Sequence, residues 1–151
     1  MNLTFRKADK NDLPAILEMV ANDQLGRSRE QFELPLPEPY NKAFEIITSD
    51  QNADLMVAEI EGKVIATFQL NYLQYLTYKG GMRVLVEGVR VHDNVRGQGI
   101  GKKVFEYIIQ VARRKGAHLV QLTSNKKRSS AIKFYEALGF EASHEGFKLH
   151  L

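Results

Sequence analysis

Between Val84 and Lys103 the hydrophobic period of this chain changes from two to 3.6, and glycines mark the change. Val84 to Val91 is β-branched and apolar and reads as a strand. Ile100, Val104, Ile108, Val111 and Ala112 recur at helical spacing and read as a long helix. Gly97, Gly99 and Gly101 fall at the junction. A strand that turns through glycines into a helix presents unpaired N–H groups and partial positive charge at the helix start, which together form a cradle for an anion. Glycine lets the anion approach that backbone, and Arg96 and Lys102 add full charge beside it.

Spacing separates the phosphate motifs that compete for this stretch. A P-loop requires glycine five positions before the Gly-Lys pair and Ser or Thr after it, where Arg96 and Lys103 stand. A dinucleotide fingerprint starting at Gly97 requires glycine at Lys102 and an acid about 20 positions on, yet no Asp or Glu occurs between Glu106 and Glu136. The pattern that fits is Arg/Gln-x-x-Gly-x-Gly/Ala, met by Arg96-Gly97-Gln98-Gly99-Ile100-Gly101. On these residues the chain resembles the GCN5-related N-acetyltransferase family, in which this loop holds the pyrophosphate of acetyl-coenzyme A. Ala131-Ile132-Lys133-Phe134-Tyr135-Glu136-Ala137-Leu138-Gly139-Phe140 supplies a second resemblance, to that family's Ala-x-x-Phe-Tyr-x-x-x-Gly-Phe signature. Phe5 to Asp12 is similar to its usual opening. The run Thr123 to Arg128, with Ser143-His144, weakly resembles the aminoalkylphosphonate acetyltransferase branch.

The resemblance implies an α/β (α+β) fold with a mixed, mostly antiparallel central sheet flanked by helices, and an acetyl-CoA cleft between splayed central strands. It implies backbone contacts to the pantetheine arm and thioester from Val89 and Val91, and pyrophosphate contacts from Arg96, Gly97, Gln98, Gly99, Ile100, Gly101 and Lys102. Tyr135 takes the role of acid toward the departing thiolate, for which a phenol of pKa near ~10 is suited. Many members have asparagine three residues before the signature alanine, but Arg128 stands there and the nearest asparagine is Asn125, so either is a candidate for the pantetheine arm. Glu87 interrupts an apolar strand, and a carboxylate there must be paired, hydrated or functional. Family members commonly carry an acid at this place, where it deprotonates an incoming ammonium directly or through water. An ion pair with Arg83 or Lys79 is the structural alternative.

A length of 151 residues suits one domain, 1–151, with no apolar run near the ~20 residues that span a bilayer. Zero cysteines exclude disulfides and thiolate chemistry, and a cytoplasmic protein is the simplest expectation. Residues 1–61 carry twelve acids against six bases, whereas residues 96–133 carry ten bases and only Glu106, so one half of the sequence favours a polyanion. Coenzyme A is such a ligand. A nucleic-acid backbone is a rival, to be recognised by salt-dependent binding, and the net charge of +3 does not argue for it. The four histidines have no metal-ligand spacing, and direct attack on an activated thioester needs no metal.

Read in order, Leu3 to Lys7 is a strand, and Leu13 to Val20 a helix capped by Asp9 or Asn11 with Pro14 near its start. Residues 23–41 are irregular and a second helix runs to about Ser49. Leu55 to Ile60 and Val64 to Tyr72 form a hairpin through Glu61-Gly62. His118 to Thr123 is a strand, Ser129 to Leu138 a helix, and Phe147 to Leu151 a final strand. The expected activity is acetyl transfer from acetyl-CoA to a primary amine of a small molecule, with a homodimer one possible assembly. An acyl-CoA sensor without turnover, or acetylation of a protein lysine or N-terminal amine, are the alternatives.

Overall fold

Alternation of apolar residues needs a hydrogen-bonded neighbour to become a strand, and four long stretches of this chain find one. The computed structural model describes residues 2–151. Its sheet has the order β1 (Leu3–Lys7), β2 (Ala53–Ile60), β3 (Lys63–Gln74), β4 (Met82–Val91) and β5 (Leu119–Gln121). The first four are antiparallel neighbours, and β4 and β5 run parallel. Glu61 and Gly62 close the β2–β3 hairpin with both residues left-handed, φ 51° and 75°, the geometry that matches strand twist across a two-residue loop. The mixed, mostly antiparallel sheet expected from the sequence is the one found.

Helices cover both faces. Successive strand residues point to opposite sides. Val57 accordingly packs with Leu13, Ile16 and Leu17 of α1 (Leu13–Ala21) and Phe44 of α2 (Glu38–Ser49). Phe5 and Phe68 instead meet Tyr107 of α4 (Ile100–Arg114), Phe5 in a stack with centroids 4.1 Å apart. Buried on two faces, β3 reads as the unbroken run Ile65–Phe68 rather than as an alternation. Phe68 is fully buried, and its truncation to alanine would cost roughly 3–5 kcal/mol. Asp9 caps not α1 itself but the 3-10 turn Lys10–Asp12 that leads into it: its carboxylate accepts from the Asn11 amide at 2.8 Å, and the Asp12 carboxylate accepts from the Asp9 amide at 2.8 Å. Between β3 and β4 a single turn, α3 (Thr77–Gly80), is left-handed at Tyr78 and Lys79.

The chain forms two compact units, one ending at Gln121 and one comprising Leu122–Leu151. The second contains α5 (Ala131–Ala137), closed by Gly139 at φ 95°. No residue of 122–151 is buried. The structure differs from the sequence expectation in two strands. β5 has three residues rather than six, because its ladder with β4 ends at Leu85↔Gln121. Phe147–Leu151 keeps its alternation but forms no ladder, and no strand follows Gln121 among the described residues.

Candidate active site

The site begins where β4 leaves its regular pairing. On β3 the partners step from Thr67 to Gln69 while on β4 they step from Arg90 to Glu87, so β4 carries one extra residue, a bulge at Gly88-Val89. Gly88 has φ 63°, and a Cβ built on it would meet nothing within 4 Å, so glycine is required by the backbone and not by crowding. β5 pairs only with Arg83–Leu85. Beyond that point no strand lies beside Val86–Val91 on the side away from β3 among the described residues. An extended ligand therefore has main-chain groups to meet there, at Val89 and Val91, both half-buried. Two arginines hold the carbonyls: Arg90 Nη1 donates to Val89 O at 2.8 Å and Arg96 Nε to Val91 O at 3.2 Å.

Glu87 is exposed at this bulge and makes no ion pair or side-chain hydrogen bond among the described residues. Arg83, its alternative partner, is engaged elsewhere: its guanidinium lies 4.5 Å from the centre of the Tyr75 ring, and Nη1 donates to Gln121 Oε1 at 3.0 Å. The carboxylate is thus left to water.

After β4 the chain makes a 3-10 turn at Asp93–Val95 and enters the glycine loop. Gly97 and Gly99 are left-handed, φ 74° and 77°, and Gly99 is the N-cap of α4. Neither position is crowded, so the two glycines set the path of the loop. A glycine cap offers no side-chain acceptor, which leaves the first N–H groups of α4 for water or an anion. Ile100 and Val104, buried below, fix the helix start. Arg96 is aimed by Asp93, whose Oδ1 lies 2.9 Å from Nη2. Asp93 Oδ2 in turn accepts from Asn22 at 2.9 Å. Lys102 stands 3.9 Å from Glu106 in an exposed pair of little energetic weight.

Sequence reasoning missed the residues that tie the segment after α1 to this loop. Asn22 reaches Asp93, and Asp23, itself buried, meets Arg90 at 3.6 Å while accepting from the Leu25 amide at 3.2 Å. Asp93 three residues before Arg96 was a local signal for that ion pair, but Asn22 with Asp93 and Asp23 with Arg90 join positions far apart and left none. Also unforeseen is a cavity of about 360 Å³ between α4 and β1–β3, lined by Arg6, Asp54, Tyr72, Tyr107 and Arg114 among others. There the Tyr72 hydroxyl donates to Asp54 at 2.7 Å, and burial with that carboxylate pushes the phenol well above its ordinary range. Burial opposes ionisation of Asp54, but the Tyr72 hydroxyl and Lys7 ammonium prevail and hold its pKa below the usual value.

The expected site residues are divided between the units. Glu87, Val89, Val91 and Arg96–Lys102 lie together along the end of β4 and the start of α4 in the first. In the second, Asn125 caps its own turn, accepting from the Lys127 amide at 2.9 Å through its side chain and from the Arg128 amide at 2.9 Å through its carbonyl. Tyr135 lies on α5 with its ring edge-on to Phe134 and Phe140, centroids 5.3 and 5.9 Å away. Among the described residues no group of His, Cys, Asp and Glu is arranged to hold a metal ion.

A bulged strand runs through a left-handed glycine loop into an uncapped helix, and comparison with known proteins gives the family of the chain. The model of the acetyltransferase (GNAT) family matches residues 20–140, and the chain belongs to that family. It is an acetyl-CoA-dependent acetyltransferase. The L-methionine sulfoximine/L-methionine sulfone acetyltransferase of Pseudomonas aeruginosa is 27% identical over 145 residues, 95% of this chain and 83% of that protein. The aminoalkylphosphonate N-acetyltransferase of Salmonella typhimurium is 32% identical over 101 residues, 65% of this chain and 63% of that protein. Among solved structures, a transcriptional regulator from Bacillus halodurans is 45% identical and superposes with a TM-score of 0.96 over 99% of this chain and 100% of that one.

Proposed function

We propose that this protein moves the acetyl group of acetyl-CoA to the primary amine of a small molecule by direct attack. The observation that carries the reading is the open, bulged end of β4 leading into the glycine-capped start of α4. Acetyl-CoA supplies an activated thioester. Val89 and Val91 hold the pantetheine arm through their main chain, Asn125 or Arg128 adds a side-chain contact, and Arg96 to Lys102 take the pyrophosphate. Glu87 removes the proton that keeps an ammonium from attacking; the amine nitrogen bonds to the acetyl carbon, the carbon–sulfur bond breaks, Tyr135 donates a proton to the sulfur, and the second proton released by the acylated nitrogen restores the Tyr135 phenol. The work left to the protein is positioning, deprotonation and charge stabilisation. Relatives that acetylate methionine sulfoximine and aminoalkylphosphonates support an acceptor with its amine near a polar or anionic group. The whole of 1–151 acts as one catalytic domain in this reading, and the cytoplasm is its proposed compartment.

The test joins binding to turnover. Acetyl-CoA is expected to raise the melting temperature of the wild type and not of Gly99→Glu, because a carboxylate in the loop repels the pyrophosphate and its side chain strains a left-handed position. Thiol release against a panel of small amines then identifies the acceptor. A folded Gly99→Glu protein stabilised as much as the wild type would remove the loop from the coenzyme site. The regulator from Bacillus halodurans favours a second reading, in which the basic half binds duplex DNA; salt-dependent duplex binding without turnover on any amine is its signature.

A further inference from the structure

The cavity between α4 and β1–β3 lies on the face of the sheet opposite to Glu87. Alternation along β3 puts Phe68, Leu70 and Tyr72 on the side that meets α4, and Gln69, the ladder partner of Glu87, on the other. Its volume of about 360 Å³ falls within the range of small-molecule sites. Met56, Leu70 and Val111, all buried, give it an apolar wall, and the rings of Tyr72 and Tyr107 add aromatic surface. Ring–ring and thioether–ring contacts both favour an aromatic group against such a wall.

Four cations border the same cavity, and two of them are already matched. Arg6 meets Asp12 at 2.7 Å and Glu59 at 3.1 Å, and Lys7 meets Asp54 at 3.0 Å. Arg114 and Lys115, at the end of α4, make no ion pair among the described residues. Lys115 Nζ stands 4.5 Å from the centre of the Tyr72 ring, which holds an ammonium beside the aromatic surface. Cations suit any helix C-terminus, and that accounts for Arg113, which is no part of the lining. It does not account for two cations set beside an apolar, aromatic recess. Asp54, which accepts from the Tyr72 hydroxyl and meets Lys7, repels negative charge from that part of the wall and leaves an anionic head the side of Arg114 and Lys115.

We propose that this cavity is a second binding site, for a small aromatic anion whose carboxylate or phosphate head meets Arg114 and Lys115 and whose ring lies against Tyr72, Tyr107 and the apolar wall. A guanidinium takes either head through two parallel hydrogen bonds, and the ammonium adds a point charge. A neutral ring leaves both cations unused, and a bare inorganic anion leaves the apolar wall wet, so the pair of surfaces selects the molecule that has both parts. None of Glu87, Val89, Val91 or Arg96–Lys102 lines the cavity, and the proposal holds whichever amine the protein acetylates.

The experiment titrates phenylacetate and phenyl phosphate into the full-length protein saturated with coenzyme A, and follows the aromatic ring signals of Tyr72 and Tyr107 by nuclear magnetic resonance. Both signals should move together and saturate with at least one of the two anions, and saturation by one alone identifies the head. Benzyl alcohol and inorganic phosphate, each with half of the required chemistry, should bind about tenfold more weakly. Arg114→Gln combined with Lys115→Gln changes two exposed side chains; it should weaken binding by about tenfold or more and leave the melting shift induced by coenzyme A unchanged. Ring signals that stay in place with both anions, displacement of the anion by coenzyme A, equal binding of benzyl alcohol, or an unchanged affinity in the double variant overturns the proposal. A protein that binds no coenzyme A fails the reading of the glycine loop, and the same signals and the same variant still decide this one.

Discussion

Glu87 differs in its company from the acids that tie the first unit together. Asp12 has Arg6, Asp54 has Lys7, and Asp93 has Arg96, whereas Glu87 stands exposed beside a bulge, and Arg83, a candidate partner, is turned toward Tyr75 and Gln121. A structural carboxylate would be expected to find a partner, and a general base has to keep its lone pairs for the substrate. Glu87→Gln keeps the shape and removes the basicity. Turnover at saturating amine should fall by roughly 10²–10⁴ with the acetyl-CoA-induced melting shift unchanged. A glutamine variant at near-normal rate would hand the proton to a chain of water.

At the scale of the element, the bulge makes the site. Gly88 is its left-handed residue, and a β-branched side chain at φ 63° is a genuine outlier. Gly88→Val should therefore cost about 1–3 kcal/mol in chemical denaturation and reduce turnover further than stability alone explains, because relaxing the bulge re-aims Glu87 and the Val89 backbone. Normal kcat in a destabilised variant would make the bulge a packing feature only. Elements such as these differ in how plainly the sequence announces them. Glu61-Gly62, Pro14 behind the Asp9 cap, and the glycines of the anion loop are legible because turn and cap chemistry is local. Gly88 is ambiguous, since a glycine inside an apolar strand suits a bulge or a weak strand equally. The short β5 and the unpaired 147–151 segment were not legible, because alternation specifies which side of a strand is apolar and says nothing of which strand lies next to it. Asp23 with Arg90 joins two residues that no local rule connects.

For the whole molecule, one ion cluster ties the first strand to the first helix and to β2. Arg6 meets Asp12 at 2.7 Å and Glu59 at 3.1 Å, and the hydrogen bonds it gives Asp12 hold that carboxyl below its ordinary range. A carboxyl depressed in the folded state adds stability above its unfolded pKa of about 3.9 and loses it as pH falls through the folded value. Asp12→Asn should thus lower stability by about 1–3 kcal/mol at neutral pH, a figure discounted for the partial exposure of Arg6, and the gap to wild type should close below about pH 4. Denaturant melts at pH 7 and pH 3 measure it; a gap that persists in acid would assign the loss to packing. The early parting of β4 from β5 has a consequence of another kind. On the proposed reading the donor is gripped by main-chain groups and is indifferent to which side chains surround it, so drift in the sequence would leave that grip intact while the acceptor side is free to change. Such a scaffold can trade one amine for another over evolutionary time without relearning its donor, and an inhibitor shaped like an extended peptide strand would compete with the donor across the whole lineage.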